Sequence, residues 1–154
     1  MAVLLASQVE RSLEQYLRSR MRKHPVVEDV FSYRGAAGSF GAKVQLAFAL
    51  NLIGPTTRGD LDVIRELRNA FAHSRMPMDF ELSAVREVCS HLKMPDRPGV
   101  FLSLDMLETV PREHLGRAAD KNHPRTRYFT ACNECAKGMH QVRLKGARVE
   151  EVLP

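Results

Sequence analysis

The stretch Asp60-Leu61-Asp62-Val63-Ile64-Arg65-Glu66-Leu67-Arg68-Asn69-Ala70-Phe71-Ala72-His73 sets the architecture. Leu61, Ile64, Leu67 and Phe71 recur at steps of three and four, the period of one helical face. Thr57 or Asp60 can cap its start, and a loop beginning at Arg75-Met76-Pro77-Met78 follows it. Upstream, residues 40–53 (FGAKVQLAFALNLI) are apolar on most of a helical circumference. They are expected to form the central core helix, capped by Ser39 and ended by Gly54-Pro55. Before them come a flexible turn over Tyr33–Gly38 and a short apolar piece, VVEDVF. The first helix, Val3 to Met21, carries a stripe of Leu5, Val9, Leu13, Tyr16 and Leu17, and His24-Pro25 stops it.

Downstream, Ser83 can cap a fourth helix bearing Leu82, Val85, Val88, Cys89 and Leu92, and Met94–Gly99 breaks the chain. Residues 100–123 hold one strand-like scrap, VFLSL, and a short helical candidate, LSLDMLETV. Pro124 suits the first turn of a last helix. There is no internal repeat. The expectation is an all-α, single-domain antiparallel helical bundle of five to six helices over residues 1–145, centred on 39–53 and 60–73, with a loose tail over 146–154.

Composition narrows the function classes. The chain has 154 residues, 44% hydrophobic and 27% charged, enough to bury a core and unlike a disordered chain. No stretch approaches the roughly 20 apolar residues of a membrane span, and the start reads as an amphipathic helix rather than a signal peptide. Three cysteines are too few and too odd for a disulfide scaffold, so a reducing, cytoplasmic setting is expected. The formal net charge is +5; Arg112–Arg148 holds nine Lys/Arg against three Asp/Glu, so the rest is near neutral. A basic C-terminal third suits an acidic partner, RNA or DNA first, or simply a solvated surface.

Arg68, Asn69 and His73 carry the most pointed chemistry. Asn69 and His73 lie one turn apart, whereas Arg68 is about 140° from His73 on an ideal helix. A guanidinium can hold a phosphodiester, and an imidazole can move a proton to or from a ribose hydroxyl, without a metal. The same residues can equally serve packing, with Arg68 paired to Asp62 or Glu66 and the others satisfying the helix end. Lys43 and Arg65, on the two bracketing helices, and Arg125 and Arg127, in the basic third, are candidate nucleic-acid contacts. Cys132-x-x-Cys135 with His123 and His140 fits no usual zinc spacing; buried thiols on an apolar stripe are the expected reading, with no metal and no cofactor.

Arg68-Asn69-x-x-x-His73 resembles the RxxxxH motif of the HEPN superfamily of small all-α domains. With Arg34-Gly35-Ala36-Ala37-Gly38-Ser39-Phe40-Gly41-Ala42-Lys43, Ala47–Ile53, Asp60-Leu61 and Ile64–Ser74, the chain resembles the mannitol operon repressor (MtlR) family over about residues 25–93. That family usually has Gly-Pro-Leu-Gly-Ser-Phe where this chain has Gly35-Ala36-Ala37-Gly38-Ser39-Phe40, Gly at Asn51 and an acid at Ala70.

The resemblance implies a regulator of transcription, of repressor type, working through a protein partner or nucleic acid, RNA more than DNA. The alternative it implies is a metal-independent endoribonuclease, of toxin or defence type with an antitoxin partner. It would leave 2′,3′-cyclic phosphate ends, with Arg68 on the phosphate, His73 as acid and base and Asn69 orienting. Either implies a homodimer, in which Arg68 and His73 of different chains share one cleft. No membrane association is expected.

Overall fold

The computed structural model describes residues 1–100 and 120–145. Among them the secondary structure is entirely helical: α1 (Ala2–Ser19), α2 (Val26–Phe31), α3 (Phe40–Ala49), α4 (Pro55–His73), α5 (Ser83–Ser90), a 3-10 turn (Met94–Asp96) and α6 (Pro124–Lys145). The short helical candidate within 102–110 and the tail from Gly146 lie outside the described residues. No helix among the described residues is long and apolar enough to cross a membrane.

The central helix is α1, a correction to the expectation for 39–53. Ala6, Val9, Leu13, Tyr16 and Leu17 are fully buried, and α1 packs against α3, α4 and α6. Segment 39–53 is largely apolar but stops helically at Ala49, because Asn51 turns left-handed with φ 55°. Leu52 and Ile53 then leave the helix axis, with Ile53 entering the core as non-helical chain. Side-chain contacts also correct the antiparallel expectation. The Tyr128 hydroxyl donates to the Ala2 carbonyl (3.1 Å), and Arg143 Nη1 donates to Gln15 Oε1 (2.8 Å), so the first and last helices run parallel. Helix α4 runs against α1, since Tyr16 donates to the Leu52 carbonyl just ahead of α4 while Glu10 faces Arg68.

Several caps differ from expectation. Ser39 does cap α3, its hydroxyl accepting from the Ala42 amide at 3.1 Å. Helix α4 starts at Pro55 with Gly54 as its N-cap, so neither Thr57 nor Asp60 caps it. Asp60 sits inside the helix, buried, and accepts the Lys93 amide at 2.8 Å and the Met94 amide at 2.6 Å. It therefore caps a turn some thirty residues on. Leu82, not Ser83, is the N-cap of α5; Asp79 Oδ1 accepts the Glu81 and Leu82 amides ahead of it.

The turn over 33–38 is closely packed rather than loose. The Gly35 amide donates to Ser32 (2.8 Å) and the Ala37 amide to Val30 (2.8 Å), with Ala37 fully buried. A Cβ on Gly35 would collide with the backbone carbonyls of Asp29 and Val30. Absence of a side chain, rather than a positive φ, is what glycine supplies there.

Candidate functional site

Helix α4 places Arg68, Asn69 and His73 on its last turn and a half. Arg68 turns inward towards α1: Nη1 donates to Asn69 Oδ1 at 3.1 Å, and Nη2 lies 3.7 Å from Glu10 Oε2. Its side chain keeps about a third of its surface, 33%. His73 is the last residue of α4 and is exposed. The fold thus brings Arg68 and Asn69 into contact with each other, and sets His73 at the open helix end.

Glu10 belongs to a charge network that sequence reasoning missed. Its Oε1 accepts from Lys43 Nζ at 2.8 Å, and Lys43 also pairs with Glu14 Oε2 at 3.1 Å. Glu14 Oε1 accepts from Arg18 Nε (2.8 Å), and Arg18 Nη1 donates to Glu28 on α2 (2.6 Å). Burial raises the Glu14 pKa, but the hydrogen bonds from Lys43 and Arg18 outweigh it and hold the carboxyl below its ordinary value. One network therefore joins α1 to α2, α3 and α4. Its sequence signal was two acids at i and i+4 on α1 beside the apolar stripe, with Lys43 as the basic residue of a largely apolar α3. An open groove of about 380 Å³ runs beside it, lined in part by Ser7, Glu10, Arg11 and Glu14.

The four basic candidates divide by burial. Lys43 is buried and committed to Glu10 and Glu14. Arg127 is buried; it donates to the Cys89 carbonyl (3.1 Å), the Leu92 carbonyl and both oxygens of Asp96 (2.9 and 2.7 Å). Arg65 is partly exposed, lies over Gly41 and faces Asp62 at 3.6 Å. Arg125 lies over the Phe129 ring, 5.2 Å from its centroid. Phe71 of α4 meets Phe80 at 5.0 Å, and Phe80 meets Tyr128 (5.6 Å) and Phe129 (6.0 Å). That aromatic cluster brings Arg125 to the same end of the molecule as the close of α4.

Cys89, Cys132 and Cys135 are buried free thiols. Burial pushes Cys89 up to about 12 and raises Cys132 and Cys135 as well, which favours the neutral thiols. His123 faces Glu81 at 2.9 Å and His140 faces Arg143 at 3.2 Å. Among the described residues no group of three or more His, Cys, Asp or Glu side chains is placed to hold a metal ion. Comparisons of the chain with protein-family models, curated proteins and solved structures return no match.

Proposed function

We propose that this chain is a regulatory protein of the mannitol operon repressor type, acting as a homodimer through a protein partner or a nucleic acid. The observation that carries this reading is the engagement of Arg68. Its guanidinium lies between Asn69 and Glu10 and ties α4 to α1, which suits a structural or binding role better than catalysis within one chain. Asn51 adds support. It holds a left-handed φ of 55° where the resembled family carries Gly, and Gly and Asn are the residues that adopt this conformation most readily.

A second reading, a metal-independent endoribonuclease of the HEPN kind, draws on the exposure of His73 one turn beyond Asn69. The test is incubation of the purified protein with mixed-sequence end-labelled RNA in excess EDTA, beside His73→Ala and Arg68→Ala proteins of verified helical content. The regulator reading expects no cleavage by any of the three. Cleavage by the parent alone, ending in cyclic phosphate, would replace it with the ribonuclease.

A further inference from the structure

The geometry points to Glu10 as an internal counter-ion that occupies Arg68 and that a phosphodiester of single-stranded RNA must displace. This rests on the nucleic-acid arm of the reading above and takes the exposed third of Arg68, beside Asn69, as the group a phosphate meets.

The two oxygens of Glu10 are held unequally. Oε1 lies 2.8 Å from the ammonium of Lys43, a hydrogen bond, and Lys43 is buried. Oε2 lies 3.7 Å from Arg68 Nη2, an ion pair too long for a hydrogen bond. Lys43 thus anchors the carboxylate, and Arg68 is held loosely by the oxygen left over. A guanidinium presents five donors in a planar fork, and phosphate oxygens take two of them in parallel. With a third of the Arg68 side chain open to solvent, such a group can approach without unpacking α4. Glu10 does not need Arg68 to remain solvated and paired, because it keeps Lys43 and lines the open groove along α1. An incoming phosphate therefore trades a long ion pair for short charge-assisted hydrogen bonds. The negative charge of Glu10 sets the threshold for that trade.

The experiment is fluorescence anisotropy with a labelled, mixed-sequence single-stranded RNA at fixed salt. It compares the parent, Glu10→Gln, Arg68→Ala, the double variant Glu10→Gln/Arg68→Ala, and Glu14→Gln as a control for net charge. Glu10→Gln is expected to bind about two- to fivefold more tightly than the parent, the range of an exposed ion pair. The gain should vanish in the double variant, and Glu14→Gln should stay near the parent.

Equal binding by parent and Glu10→Gln, with Arg68→Ala weaker, overturns the counter-ion and leaves the nucleic-acid reading standing. A gain that survives in the double variant, or that Glu14→Gln matches, also overturns it, since net charge alone then accounts for the gain. RNA binding by none of the proteins defeats the nucleic-acid reading and the inference with it. Should Glu10→Gln lose its helical content, Glu10→Leu with Lys43→Met removes the buried pair together and serves in its place.

Discussion

Arg127 and Asp60 together hold the corner between α5 and the 3-10 turn. Arg127 donates to carbonyls at the end of α5, where the helix leaves acceptors unsatisfied, and Asp60 accepts two amides at the start of the next turn. Each side chain meets backbone groups that are buried or half-buried. Replacing Arg127 with Met removes its hydrogen bonds to the Leu92 and Cys89 carbonyls, leaves Cys89 with the Leu92 amide alone, and frees Asp96. The expected cost is about 2–4 kcal/mol in urea unfolding followed by circular dichroism, held below the figure for a fully buried pair because Asp96 is half exposed. At this scale the sequence is least readable. A lysine or arginine looks the same on the page whether it meets a ligand or a buried carboxylate. Lys43 and Arg127 owe their burial to partners 29 or more positions away.

The elements were more legible, and their ends less so. The apolar steps of three and four placed α1, α4 and α5, and Pro124 marked the start of α6, as its fixed φ suits. The end of α3 was hidden because residues 50–53 continue an apolar run. Composition alone does not separate a buried helix from a buried non-helical connection; the left-handed Asn51 does. The turn before α3 shows the same limit. Glycines there suggested freedom, whereas Gly35 faces the backbone of α2 and Gly38 that of Ser32 and Tyr33 at close range. Gly35→Ala should force that backbone apart and lower stability by about 1–3 kcal/mol, the usual range for overpacking. Gly59→Ala, in open space on α4, is the paired control. It should be neutral or stabilising, with both read by thermal unfolding.

Across the whole molecule, charge links acidity to stability. Glu14 is held low by Lys43 and Arg18 against the effect of its burial, and Asp96 is held low first by its hydrogen bonds with Arg127. A carboxyl whose folded pKa is depressed contributes stability that is fully present above its unfolded pKa, about 4, and lost as pH falls through the folded value. Asp60 runs the other way: burial raises its pKa despite the Lys93 and Met94 amides, so its protonation on acidification favours the fold. The first two should dominate below about pH 4, because they hold α1 to α3 and the 3-10 turn to α6. The unfolding midpoint is therefore expected to drop there, with a shallower drop in Glu14→Gln; an identical slope in both proteins would remove Glu14 from the explanation.

By itself the sequence determined the helical character of the described residues, the positions of most of their helices and the proximity of Arg68 to Asn69, because helical periodicity and adjacency are local properties. Only the tertiary structure decided that α1 is the centre, that the first and last helices run parallel, and that Glu10 pairs with both Lys43 and Arg68. Those facts depend on which apolar faces and which opposite charges meet across long chain separations, and no local spacing encodes that.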